Sequence, residues 1–283
     1  MNNNLSAAAK VAVVTGAGGT LCSVMAVELA QKGYKVALIG RTLASLTEVE
    51  TKIKANGGAA LSVAADVCDQ EQVENAKEKI HETLGLCSVL INGAGGNQAD
   101  AITTVNEFQE DELKANNPDL RGFFNLNMKR FFDVVEVNTM GTVIPSFVFA
   151  RDMVENKGGV IINFASMNTY RPLSRVPAYA LSKAGISNFT QWLAAYLAPA
   201  NIRVNAIAPG FFLNGRSKKL LINADGQYSE RGANIIHHTP MKKFGEAGEL
   251  IGCMNWLIDD KASGFVTGAT IPVDGGFLSS TGI

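Results

Sequence analysis

The sequence predicts an α/β fold: a single doubly wound parallel sheet of about seven strands with helices on both faces. Three observations carry this. Short, wholly apolar runs alternate with longer amphipathic stretches along the chain. Wholly apolar runs fit strands buried on both faces, as in parallel sheets. A glycine-rich turn links the first such run to the first helical pattern, as it does where a strand of an open parallel sheet feeds its crossover helix.

The run KVAVVT at 10–15 is the first strand, and TGAGGTLC turns out of it. A helix follows at 21–32, with Leu21, Val24, Met25 and Leu29 on one face and Gly33 at its end. KVALI at 35–39 is the second strand, and 43–55 is a helix stopped by Gly57 and Gly58. The third strand is 60–65, the next helix is 70–84 ending at Gly85, and the fourth strand is 88–92. GVIINFA at 159–165 and RVNAIA at 203–208 are two more strands, each after a long helix, and 270–273 is a short last one. Right-handed crossovers wind these strands into one sheet. No repeat, low-complexity tract or Pro/Ser linker divides the chain, so residues 1–283 are expected to form one domain. Two segments interrupt the rhythm: 97–129, rich in Asn, Asp and Glu, and 211–244. Segments this long are usually lids or helical insertions.

Composition removes several function classes. With 25 basic and 26 acidic residues, the chain has no general nucleic-acid-binding surface. Cys22, Cys68, Cys87 and Cys253 are scattered, and the histidines are only His81, His237 and His238. No spaced ligand set for a metal follows, and the cysteines read as small buried hydrophobes in a reducing compartment. No signal-peptide pattern or membrane span is present in the sequence, so a soluble cytoplasmic protein is expected.

Two patterns carry chemistry. The turn TGAGGTLC precedes a helix, where free N–H groups suit a phosphate. A glycine-rich turn is a weak signal alone, because a tight strand-to-helix turn needs no ligand. Tyr179 and Lys183 are stronger: at i and i+4 they share one helical face, in a helical pattern reaching Leu197. A nearby ammonium favours the phenolate and is expected to lower the tyrosine pKa. Ser166 stands thirteen residues before Tyr179, at the C-terminal end of the fifth strand.

With these residues the sequence resembles the short-chain dehydrogenase/reductase family, in its Tyr-x-x-x-Lys branch. The resemblance covers essentially the whole chain. It rests on TGAGGTLC, Asp66-Val67, Asn92-Gly93-Ala94-Gly95, Asn138 in VEVNTMGT, Ser166, Tyr179, Lys183, Asn205 to Pro209-Gly210, and Val273-Asp274-Gly275-Gly276. It implies a Rossmann-type oxidoreductase using NAD or NADP. Tyr179 would be the general acid/base, Lys183 would hold the nicotinamide ribose, Ser166 would bond the substrate oxygen, and Asn138 would position a relay water. The implied cofactor seat is Thr15, Gly16, Gly18, Gly19, Thr20, Leu21, Arg41, Asp66, Val67, Asn92, Gly93, Ala94, Gly95, Tyr179, Lys183, Pro209, Gly210 and Phe212. Asn138 could instead bond within its helix, and Asp66 could cap the following helix.

The family pattern T-G-x-x-x-G-x-G has Thr20 and Cys22 in place of its last two glycines here. Gly18 and Gly19 are expected to supply the unusual backbone angles. No acid ends the second strand, where Arg41 follows Gly40; this favours NADP slightly, through a 2′-phosphate contact. Arg41 could also stack on adenine or face solvent. Within the family the chain is similar to the bacterial D-mannonate oxidoreductases, which implies a sugar-acid substrate and exchange between D-mannonate and D-fructuronate. Asn97, Asn168, Arg171, Arg175 and Arg216 are candidate contacts for it. A gluconate- or polyol-type dehydrogenase, and a catalytically silent dinucleotide sensor, are the alternatives. The resemblance also implies a homotetramer or homodimer.

Overall fold

Seven parallel strands form one sheet: β1 (Val11–Thr15), β2 (Lys35–Gly40), β3 (Ala60–Ala64), β4 (Cys87–Asn92), β5 (Gly159–Phe164), β6 (Ile202–Pro209) and β7 (Thr270–Val273). The structure, a computed structural model, describes residues 9–114 and 119–280; within these the side chain of Arg216 is also outside the description. The strand order β3-β2-β1-β4-β5-β6-β7 reverses direction between β1 and β4. This is the Rossmann-type arrangement, and it opens a crevice beyond the C-terminal ends of those two strands.

The helices between the strands are α1 (Thr20–Gln31), α2 (Leu43–Ala55), α3 (Gln70–Thr83), α4 (Met128–Glu155) and α5 (Pro177–Leu197). After β6 come α6 (Gly215–Leu221), α7 (Glu230–His238), α8 (Ile251–Ile258) and α9 (Asp260–Ser263). Successive strand residues feed opposite cores. Ala12 and Val14 face a layer with Met25 and Leu29 of α1, Leu46 of α2 and Met254 of α8. Val11 and Val13 face Val73 of α3, Phe149 of α4 and Leu193 of α5. All five residues of β1 and all eight of β6 are buried, which is why β1 reads as an apolar run; in β6 the buried Arg203 and Asn205 interrupt the run and bond to Asp260 and the Val266 carbonyl.

The described part of 97–127 contains three short 3-10 turns, and α4 begins inside the segment read as an insertion. Asn127 caps α4 by accepting the Arg130 N–H at 3.1 Å. Residues 211–244 hold α6 and α7, and a bridge between Phe212 and Gly245 closes the segment at its two ends. No helix among the described residues is long and apolar enough to cross a membrane.

Candidate active site

The crevice floor is two interlocked turns. Thr15 ends β1 opposite Asn92 at the end of β4. The Thr15 hydroxyl oxygen accepts the N–H groups of Gly93 and Ala94 at 3.1 and 3.2 Å. Gly16 has φ +65°, and a Cβ there would lie 2.8 Å from the Gly93 carbonyl oxygen. Both conformation and space therefore require glycine. Gly18 and Gly19 do not have the left-handed angles expected of them. Gly18 is needed for space, since a Cβ there would overlap Ser45 on α2. Gly19 caps α1 with φ −82° and no side-chain hydrogen bond. The α1 N-terminus thus faces the crevice with no side chain covering its N–H groups and no acid in its first turn. That cradle fits a pyrophosphate.

Cys22, the third residue of α1, is buried and occupies the space beside Gly93. Burial pushes its thiol pKa up to about 12, with the Lys183 ammonium opposing. The thiol therefore stays protonated at neutral pH.

A buried polar network supports this floor. Asn92 Nδ2 donates to Ser146 Oγ at 2.8 Å and to Asn163 Oδ1 at 2.9 Å. Asn163 Nδ2 in turn donates to Thr190 Oγ1 at 2.9 Å, joining β4 and β5 to α5. The Asn92 side chain is turned into the protein, so that what it offers the crevice is its backbone and the turn that follows it. Asn138, in the middle of α4, is fully buried. Its Nδ2 donates to the Gly96 and Val134 carbonyls, each at 2.7 Å, and its Oδ1 accepts the Gly96 N–H at 3.2 Å. Asn138 thus bonds within its helix, as the alternative reading has it, and also clamps the turn after β4. With both amide hydrogens occupied, only its Oδ1 retains capacity for a water.

Ser166, Tyr179 and Lys183 converge at the C-terminal end of β5. Ser166 caps a 3-10 turn with φ −166°, and its hydroxyl is a hydrogen-bond neighbour of the Tyr179 phenol. Lys183 is buried, donates to the Phe164 carbonyl at 2.6 Å, and its Nζ stands 5.6 Å from the Tyr179 ring centre. The phenol pKa is not lowered as expected. Burial pushes it up, and only the Ser166 hydrogen bond opposes this. Burial instead lowers Lys183, from 10.5 to about 8. The lysine is close to neutral conditions, while the tyrosine holds its proton. With its proton held, the phenol can give it to a carbonyl oxygen; taking one from a hydroxyl requires the phenol to be deprotonated first.

The remaining expected residues divide. Arg41 is exposed just past β2. Asp66 closes a turn by accepting the Cys68 N–H at 3.0 Å, and Asp69, not Asp66, caps α3. Val67 is buried against Gly141 of α4. Pro209 ends β6, Gly210 abuts Asp274 too closely for a side chain, and the Phe212 ring is buried in the α1–α8 core. That inward turn leaves only the backbone of Phe212 for a cofactor.

The substrate candidates are mostly committed elsewhere. Asn168 donates to Ser166 Oγ at 3.3 Å and accepts the Leu173 N–H at 2.9 Å, so it orients Ser166. Arg171 donates to the Ser280 carbonyl at 2.9 Å, and Arg175 donates to the Thr103 carbonyl at 2.7 Å. Each bond engages one nitrogen of its guanidinium. Asn97 accepts the Gln98 N–H at 2.9 Å. The Arg216 side chain lies outside the described residues. Sequence reasoning missed Asn163, Ser146 and Thr190, whose polar character inside apolar elements was their only signal.

Residues 10–223 match the family model for short chain dehydrogenase. An uncharacterized oxidoreductase of Bacillus subtilis is 46% identical, over 98% of this chain and 97% of that protein. The crystal structure of a candidate D-mannonate oxidoreductase from Haemophilus influenzae, with bound NAD, superposes with TM-score 0.91 at 40% identity, covering 97% of this chain and 96% of that one. A candidate NAD(P)-dependent gluconate 5-dehydrogenase from Beutenbergia cavernae, with NADP bound at low occupancy, has TM-score 0.80 and 30% identity, covering 97% and 99%.

Proposed function

The chain belongs to the short-chain dehydrogenase family, and on that premise we propose that it interconverts D-mannonate and D-fructuronate by hydride exchange with NAD(P). The observation that carries this reading is the convergence of Ser166, Tyr179 and Lys183 beside a glycine-lined crevice. The relationship to the Haemophilus protein favours the sugar acid.

In the oxidative direction the Ser166 hydroxyl orients the substrate oxygen and Tyr179 takes its proton. In the reductive direction Tyr179 returns that proton to the ketone oxygen. Lys183 holds the ribose, its Nζ 5.6 Å from the Tyr179 ring centre. The α1 N-terminus, Gly16 and the Gly93–Gly95 turn seat the pyrophosphate and the nicotinamide half. A bound nicotinamide supplies or accepts the hydride. Asp66 and Val67 line the adenine end. Asn138 holds the turn and, through Oδ1, the relay water.

Residues 1–283 act as one domain in this reading, with 97–129 and 211–244 covering the substrate. Arg41 and the missing acid at the end of β2 favour NADP, whereas the Haemophilus relative was seen with NAD. The four unpaired cysteines fit the cytoplasm. A second copy covers the exposed face of α4 and α5, where Phe189, Trp192 and Tyr196 stack at 6.2 and 5.1 Å and Phe147 is exposed, giving a dimer or tetramer.

A substrate panel tests the proposal: D-mannonate, D-fructuronate, gluconate and 5-ketogluconate, each with NAD(H) and NADP(H). The mannonate pair should show the highest kcat/KM. A faster gluconate pair would replace the substrate with that of the Beutenbergia relative. In the same assay Arg41→Ala should raise the KM for NADPH roughly tenfold and leave that for NADH within about twofold. An unchanged NADPH KM would remove the 2′-phosphate contact.

A further inference from the structure

Cys22 and Gly93 explain each other. Cys22 stands where the family pattern has its last glycine, and this would normally open space between α1 and the end of β4. Its Sγ instead fills that space, so that a Cβ at position 93 would overlap it. Gly93 does not have a left-handed φ, unlike Gly16 at +65°. Backbone conformation therefore gives no reason for glycine at 93; space does, chiefly the Cys22 sulfur, with the Thr15 carbonyl oxygen next at 3.1 Å.

The consequences run into the reacting centre. The Gly93 N–H is held by Thr15, and two residues on, a Cβ at Gly95 would lie 2.5 Å from Asn138 Oδ1 and 3.7 Å from Lys183 Nζ. The turn carrying Gly93 is thus wedged between Cys22 below and the Asn138–Lys183 pair above. Interiors packed this closely transmit a displacement of a single methyl group.

We infer that Cys22 and Gly93 form a size-complementary pair that sets the height of the cofactor seat beside Lys183, Cys22 being a positioning residue. This rests on the oxidoreductase reading above but not on the identity of the sugar acid. The altered glycine turn is then a cofactor site of different internal packing, with the small residue moved from α1 to the β4 turn.

A double-mutant cycle on the full chain tests it, read by nicotinamide-nucleotide fluorescence and thermal unfolding. Gly93→Ala should weaken nucleotide binding by roughly 10-fold or more, through the clash with sulfur. Cys22→Gly should weaken it by roughly 3-fold, through loss of packing. The double variant Cys22→Gly/Gly93→Ala should bind at least about 5-fold more tightly than Gly93→Ala alone. If Gly93→Ala does not fold, recovery of a soluble, nucleotide-binding double variant reports the same coupling. Equal effects of Gly93→Ala in both backgrounds, or a double variant that also fails to fold, would overturn the pairing. Wild-type protein that binds no nicotinamide nucleotide would instead overturn the oxidoreductase reading.

Discussion

The β1–β4 crevice and the 97–127 insertion meet at Gly96 and Asn97, yet their side chains are satisfied in opposite ways. On the crevice side, Thr15, Asn92, Asn138, Asn163 and Lys183 are each buried and bonded to neighbouring elements. On the insertion side, Phe108, Phe123 and Phe124 are more than half exposed and touch edge to face at 5.9 and 5.5 Å. The described polar groups there bond mainly to their own segment: Arg121 donates to the Ile102 and Ala99 carbonyls. A cavity of about 310 Å³ is lined by these rings and, across from them, by Pro172, Arg175, Pro177 and Ala180, on either side of Tyr179 in the chain. A buried network fixes geometry to fractions of an ångström, as proton and hydride transfer require. A self-contained insertion can vary without disturbing that network. In the function proposed above, the first region carries the chemistry and the second the substrate choice.

The largest effect that sharpens this contrast comes from Tyr179→Phe, which keeps the ring and removes the proton. Turnover should fall by roughly a thousandfold or more, with nucleotide affinity changed less than about threefold. Near-normal turnover in steady-state kinetics would move the acid/base elsewhere. Asn138→Ala comes next. It frees the Gly96 N–H and carbonyl, and kcat should fall by about 10- to 100-fold while the KM for the sugar acid moves little.

Lys183 separates function from stability within the crevice. Its pKa is about 8 in the folded protein, against 10.5 unfolded. The unfolded chain thus binds the proton more tightly, so this group opposes folding in full below pH 8 and progressively less up to pH 10.5. Lys183→Met should abolish activity yet raise the melting temperature at pH 7 by several degrees, a gain that shrinks across that window. A lower melting temperature at pH 7 would show that the bond to the Phe164 carbonyl outweighs the burial of charge.

The smallest effect should come from the insertion side. Arg175 has φ +74°, donates to the Thr103 carbonyl, and accepts the Thr103 N–H on its own carbonyl. Arg175→Ala should raise the KM for the sugar acid about threefold and leave the cofactor KM unchanged. An equal rise in both constants would mean that the insertion and crevice are not separable.

The same contrast decides what could be read from sequence. Strands were legible because burial on both faces makes them continuously apolar; α2 and β7 fall where the pattern puts them, and α1 is one residue displaced at each end. Ser166, Tyr179 and Lys183 were legible because their chemistry demands fixed spacing. The roles of Asn168, Arg171 and Arg175 were not, since their partners Leu173, Ser280 and Thr103 depend on how loops fold back. The raised Tyr179 pKa was also hidden, because burial outweighs a hydrogen bond that sequence spacing cannot weigh against it.

The central claim is direct transfer of hydrogen between a sugar acid and the nicotinamide. Its most direct measurement uses D-mannonate deuterated at the carbinol carbon that becomes the ketone of D-fructuronate. The reduced cofactor is then examined by NMR. Deuterium at nicotinamide C4, on one face only, is the predicted result. Oxidised cofactor that remains unlabelled and unreduced beside intact D-mannonate would contradict it.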